Sequence, residues 1–132
     1  MALRVPSSIR VATDCSGLDV PVLSLRRLGV KHTHIFSCDN AAAVQKVIKH
    51  CLKPTRLYTD IISRRLIDDD KVDLYIAGCP CQPFSAAGKH AGKRDPRCLV
   101  QYAVKYVIRF SPRAILLRMW RASITSTASF SS

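Results

Sequence analysis

Glutamate is absent from this chain of 132 residues: all nine acidic side chains are aspartate, against 21 lysines and arginines, for a formal net charge of +12. No apolar run approaches the roughly 20 residues of a membrane-spanning helix. The opening MALRVPSSIRV lacks the apolar core that a secretory signal requires. No internal repeat is visible, which argues against a solenoid or propeller. These absences point to a soluble, intracellular chain with no membrane partner, expected in the nucleus if its source is eukaryotic.

With 48% apolar residues, the length suits one modest domain with a real core. The six cysteines are irregularly spaced and follow no secretion signal, so free thiols in a reducing compartment are expected rather than a disulfide framework. Zinc on Cys79, Cys81, His90 and Cys98 is disfavoured, because one residue between the first two ligands is tighter than the usual two to four. No metal is expected. The positive charge points to a polyanion, most simply nucleic acid, although basic residues spread along the chain also describe an ordinary solvated surface.

The apolar pattern alternates between strand and helix. Ile9 to Thr13 reads as a buried strand, and Asp14 to Asp19 as a turn. Asp19 is placed as the N-cap of a helix carrying Pro21 in its first turn. Leu18, Val22, Leu25 and Leu28 keep helical spacing up to Gly29. His34 to Cys38 is a second strand. Ala41 to Leu52 is a second helix with Val44, Val47, Ile48 and Cys51 inward. A weak strand at Leu57 to Thr59 and a short helix from Ile61 to Leu66 follow. Asp68 to Asp70 reads as a solvated turn, and Val72 to Gly78 as a buried strand. After a long polar loop, a stripe at Leu99, Tyr102, Ala103, Tyr106, Val107 and Phe110 marks a helix, and Ala114 to Leu117 a last strand. Such alternation implies an α/β fold on a parallel sheet.

The loop carries the chemistry. In GCPCQPFSAAGK, Gly78 to Lys89, Pro80 and Pro83 flank Cys81 just past a buried strand and stiffen its backbone. That position is the C-terminal edge of the sheet, where ligands bind in open α/β folds. Composition alone also allows Cys79 and Cys81 to be small core residues.

The string Gly78 to Ser85 resembles the catalytic loop of the C5-cytosine DNA methyltransferases. The resemblance implies a Rossmann-like, S-adenosylmethionine-dependent methyltransferase fold with an incomplete parallel sheet. Residues 1–8 form an N-terminal tail, 9–117 a partial catalytic domain, and 118–132 a disordered tail. Cys15, Ser16, Gly17 and Leu18 match the family's cofactor loop. Asp39, with Asn40, matches the acceptor for the ribose hydroxyls; Asp60, with Ile61, matches the acceptor for the adenine amino group; Gly78 and Pro80 complete the cofactor set. Cys81 takes the role of the nucleophile that adds to C6 of a flipped cytosine. Ser85, Lys89 and Arg97 would lie near phosphates of DNA, or of RNA, since close relatives of this family act on tRNA.

The chain also departs from the family. Cys15 stands where Phe usually packs on adenine, and Asp19 where Gly is usual. After Ser111-Pro112-Arg113 the family runs a strand into Glu-Asn-Val, whose Glu protonates the cytosine. Here Ala114 to Leu117 leads to Arg118-Met119-Trp120. Met119-Trp120 must be encoded ATG TGG. If Arg118 is AGA, restoring one G turns CTG AGA ATG TGG into CTG GAG AAT GTG G, which reads Leu-Glu-Asn-Val. An out-of-frame tail and genuine divergence are therefore both open. Three readings follow: a methyltransferase half that is inactive as written, a non-catalytic cofactor- or nucleic-acid-binding remnant, and a thiol-redox or zinc protein using Cys79 and Cys81.

Overall fold

The computed structural model describes residues 6–79 and 99–118. Among the described residues are five parallel strands: β1 (Ile9–Asp14), β2 (His32–Cys38), β3 (Arg56–Tyr58), β4 (Leu74–Ala77) and β5 (Ala114–Leu117), in the order β3-β2-β1-β4-β5. Helices α1 (Val20–Arg27), α2 (Ala42–Val47) and α3 (Val100–Phe110) connect them. The expected α/β class, with a parallel and incomplete sheet, is what the chain adopts. Among the described residues no helix is long and apolar enough to cross a membrane.

Alternation along the central strands sends neighbouring side chains to opposite faces. Val11 and Ile76 pack with Val22, Ile48 and Leu52 on the α1/α2 side. Ala12, Tyr75 and Ala77 pack with Ala103, Tyr106 and Phe110 on the α3 side. Tyr106 anchors that second layer. It stacks on Tyr75 at 4.2 Å, meets Phe36 edge-on at 5.6 Å, and donates its hydroxyl to the carbonyl of Asp70 at 2.6 Å. The β1–β2 register slips between Val11 and Ala12, which pair with His34 and Phe36 and skip Ile35.

Helix α1 ends as its sequence suggests. Gly29, at φ +68°, donates to Arg26, and Val30 donates to Leu25 at 3.0 Å, which together close a Schellman turn. Its start differs. Asp19 sits before the helix, but its side chain makes no cap bond; it is turned inward and fully buried. Leu18 and Leu28, placed on the core stripe by spacing, are exposed because they lie just outside the helix ends.

The second helix also departs from a simple periodic reading. After Val47 it widens into a π-type turn over Ile48–Leu52, closed by Lys53 N–H donating to Ile48 O at 3.0 Å. The wider turn shifts the inward face, so Leu52 is buried while Val47 and Cys51 are exposed. The helix expected at 61–66 is only a turn, because the Asp60 carboxylate accepts from Ile62 N–H at 2.9 Å and Ser63 Oγ at 3.2 Å.

The aspartate run is not merely solvated. Asp70 is buried in a 3₁₀ turn (Asp68–Asp70), where it accepts from Arg56 Nε and Tyr58 Oη, each at 2.7 Å, and from Ile67 N–H at 2.8 Å. At the opposite edge, all four residues of β5 are exposed although the strand pairs in register with β4.

Candidate functional site

In this strand order the chain winds outward from β1 on one side and from β4 on the other. The crevice at their C-terminal ends is the switch point where open α/β sheets bind ligands. Residues 15–19 leave β1 there, and Gly78 and Cys79 leave β4.

The loop after β1 is strained and heavily tied. Cys15, Gly17 and Asp19 have φ of +50°, +52° and +56°. Gly17 adopts this at no steric cost, whereas Cys15 and Asp19 are held there at roughly 1–3 kcal/mol each. Ser16 N–H donates to Cys38 O at 3.3 Å, and the Ser16 and Ser37 hydroxyls lie 2.8 Å apart. Gly17 N–H donates to Asp39 Oδ2 at 2.9 Å. Asp19 Oδ2 accepts from Thr13 Oγ1 at 3.0 Å and Ser37 Oγ at 2.9 Å. The left-handed backbone at 19 explains why glycine suits that position, and these bonds explain how aspartate is tolerated.

Burial pushes the Asp19 carboxyl up to about 6, against the lowering effect of its Ser37 and Thr13 bonds. His34 Nε2 lies 3.5 Å from Asp19 Oδ2, and burial pushes this imidazole down to about 4. The carboxylate is therefore folded into the sheet, held by the two hydroxyl donors and beside a neutral imidazole.

Two neighbouring cavities open at this edge. The first, about 290 Å³, is lined by Cys15, Gly17, Asp39, Asn40, Asp60, Ile61 and Gly78, all seven singled out from sequence, together with Cys38, Ile62 and Leu99. The second, about 320 Å³, shares Cys15, Gly17 and Gly78 and adds Ser16, Asp14, Asp19, Leu116 and Arg118. Leu18, 57% exposed, lines neither. Pro80, Cys81, Ser85, Lys89 and Arg97 lie outside the described residues, as does the tail from Met119.

The acceptors in the first cavity are already half engaged. Asp39 Oδ1 accepts from Ala41 N–H at 2.9 Å while Oδ2 holds Gly17. Asp60 holds Ile62 and Ser63. Each carboxylate oxygen keeps a second lone pair, so these bonds orient the groups without exhausting them.

Behind the cavities is a buried cluster that periodicity did not reveal. Arg64 forks onto both carboxylate oxygens of Asp14, at 2.7 Å to Oδ2, and Tyr75 Oη also donates to Oδ2. The guanidinium lies 5.3 Å over the Phe36 ring. Burial works against the Arg64 charge, but Asp14 more than offsets it and holds the guanidinium protonated. Arg64 sits in a polar turn, and nothing in its spacing marks it as an inward residue.

Cys15 and Cys79 meet across the switch point with sulfurs 4.0 Å apart, and both are free thiols. Cys15 donates to Cys79 and is partly buried, which keeps its thiol protonated. Among the described residues no group of three or more His, Cys, Asp or Glu side chains could hold a metal ion.

A family model for C-5 cytosine-specific DNA methylase matches residues 15–118. The chain is similar to the type II methyltransferase M.NaeI of Lentzea aerocolonigenes, 34% identical over 112 residues, 83% of this chain and 27% of that protein. It is likewise similar to the type II methyltransferase M.NgoMIV of Neisseria gonorrhoeae, 32% identical over 108 residues, 78% of this chain and 33% of that protein. A shorter match, 44% over 54 residues, is to the type II methyltransferase M.BanI of Aneurinibacillus aneurinilyticus, covering 40% of this chain and 13% of that protein. The chain thus spans about a quarter to a third of the first two relatives.

Proposed function

The chain belongs to the C-5 cytosine-specific DNA methylase family, and on that premise we propose that it is the S-adenosylmethionine-binding portion of a DNA (cytosine-5)-methyltransferase whose nucleophile is Cys81. The observation that carries this reading is the convergence of Gly17, Asp39 and Asp60, from three separate loops, on one cavity.

The residues present fit such a cofactor. The cavities, about 290 and 320 Å³, share Cys15, Gly17 and Gly78 in their linings and are each near the lower end for small-molecule sites, roughly 300 Å³ upward. Nothing lies within 4 Å of a Cβ placed on Gly17, so a ligand can approach its backbone closely. Asp39 keeps acceptor capacity for a vicinal diol and Asp60 for an amino group. The start of α1 is a poorer match for a carboxylate than in a glycine-bearing loop. Pro21 has no N–H, Val22 N–H is spent on Asp19 O at 3.0 Å, and an acid stands beside the site. Binding is therefore weak but present.

When bound, the cofactor supplies an electrophilic methyl group. This chain's share of the chemistry is the Cys81 thiolate, which adds to C6 of an extruded cytosine and makes C5 nucleophilic. The group that should protonate the ring is missing: Arg118 follows β5, its N–H donating to Ala77 O at 2.8 Å, and it is among the residues lining the second cavity. With no glutamate in the chain, the form written here binds cofactor without turning it over. Calorimetric titration with S-adenosylhomocysteine tests the reading. A measurable heat is expected, reduced for adenosine, which lacks the amino-acid arm. No binding by either ligand to folded protein would overturn it.

A further inference from the structure

The cysteine pair weighed from sequence was Cys79 with Cys81, yet the fold brings Cys79 to Cys15, sixty-four positions away, with sulfurs 4.0 Å apart. Their backbones are already coupled. Gly78 N–H donates to Asp14 O at 3.0 Å, and Asp14 pairs with Ala77 in the β1–β4 ladder. Closing the bond needs the sulfurs to approach by about 2 Å, to a bond of about 2.05 Å. A small rotation of Cys15, at the edge of both cavities, is the movement required.

We propose that Cys15 and Cys79 form a reversible disulfide that latches the loop after β1 to the exit of β4 and pulls Cys15, which borders both ligand cavities, out of its ligand-binding position. The oxidant is a small peroxide, which reaches the pair from the side of Cys15, the member that borders the cavities, since Cys79 is buried behind it. One thiolate sulfur attacks a peroxide oxygen and breaks the O–O bond, giving a sulfenic acid and hydroxide. The second thiol displaces the sulfenic oxygen as water, forming the S–S bond. The sum is two thiols and one hydrogen peroxide to one disulfide and two waters. Cys79 is the sulfur favoured as thiolate, because Cys15 donates to it. Of the other described thiols, Cys38 is buried and pushed up to about 12 by that burial, so it is a poor competitor. Cys51 is exposed and stands apart from the pair.

The effect on ligand binding rests on the cofactor reading above, whereas the bond itself does not, and the experiment separates them. The full chain, reduced and then treated with one equivalent of hydrogen peroxide, is digested without reductant and mapped by mass spectrometry. A peptide joining Cys15 to Cys79 is expected as the main intramolecular product, lost after dithiothreitol. Joining of Cys79 to Cys81, or linkage only through Cys51, would overturn the pair. S-adenosylhomocysteine affinity is then measured on reduced, oxidised and re-reduced protein. An about tenfold or larger loss on oxidation, recovered on reduction, is expected, about 1.4 kcal/mol or more. A joined peptide with unchanged affinity would overturn the latch and leave the cofactor reading standing. Cys79→Ser and Cys79→Ala should both bind ligand in the reduced state and lose all response to peroxide; a response that persists in both would also sink the proposal.

Discussion

The two margins of this sheet are built to different standards. On the β2–β3 side, Arg56, Tyr58 and Asp70 lock together, Phe36 and Tyr106 pack edge-on, and Asp39 ties the loop after β2 to the loop after β1. On the other side, β5 pairs with β4 but leaves Ile115, Leu116 and Leu117 about half exposed. The elements that would hold a cofactor are thus supported by a complete polar and apolar framework. The strand leading to the proton-donating position has no such support among the described residues. The difference teaches that Asp39 and Asp60, the acceptors proposed for the cofactor, stand on a better-supported part of the sheet than the position proposed for the proton donor.

The largest expected effect sharpens that contrast. The chain as written should show no transfer of labelled methyl groups to DNA, because loss of general acid assistance alone typically costs about 10²–10⁴-fold. Restoring glutamate at position 118 alone should leave the assay blank, while restoring the reading frame through a complete domain should raise it. Transfer by the chain as written, abolished by Cys81→Ser, would show that a glutamate after β5 is not needed for turnover.

A second comparison places one substitution on each margin. Arg64→Met removes a nearly fully buried guanidinium and leaves the Asp14 carboxylate buried without its counter-ion. Breaking a buried pair in this way costs about 3–5 kcal/mol. Ile115→Ser, on an exposed strand, should change stability by no more than about 0.5 kcal/mol. Urea denaturation of both variants checks the pair of values. Equal losses would mean that β5 carries as much of the fold as the cluster behind the cavity.

These contrasts also mark what the sequence could convey. The α/β class and the parallel sheet were legible because Val11, Ala12, Tyr75 and Ile76 sit in short apolar runs separated by helical stripes. The cavity residues Gly17, Asp39, Asp60 and Gly78 were legible through motif order, since each stands just past a strand. What escaped was chemistry that periodicity does not encode. Arg64 and Asp70 read as polar surface, and only long-range partners such as Asp14 and Tyr58 turn them inward. Asp19 read as a helix cap, but a left-handed backbone and two hydroxyl donors in neighbouring strands bury it instead. Cys51 read as core because a π-type turn cannot be seen in spacing alone.

A more moderate effect tests the tied margin directly. Asp39→Ala removes the proposed ribose acceptor and also frees the Gly17 N–H that positions the loop. Loss of a charge-assisted hydrogen bond is worth about 1.5–3 kcal/mol, so S-adenosylhomocysteine should bind about 10- to 150-fold more weakly. Asp60→Asn keeps an acceptor and should weaken binding less. Calorimetry that finds the two variants equal to wild type would remove Asp39 and Asp60 from the cofactor site.

The smallest effect in the unaltered protein comes from a cancellation. The Asp19 carboxyl is raised from 3.8 to about 6, so between those values the folded state binds more protons than the unfolded one, and this group's contribution to stability falls as pH rises. His34 is lowered from 6.5 to about 4, so between about 4 and 6.5 the unfolded state binds more protons, and its contribution rises with pH. The two windows nearly coincide and the slopes oppose, which leaves these groups with little net effect on stability across that range. Single substitutions uncover each slope. His34→Gln should show stability falling from about pH 4 to 6 relative to wild type, and Asp19→Asn should show it rising over about pH 4 to 6.5. Chemical denaturation at half-unit pH steps reads both differences. Variant curves parallel to wild type would mean that His34 and Asp19, 3.5 Å apart, keep ordinary proton affinities despite their burial.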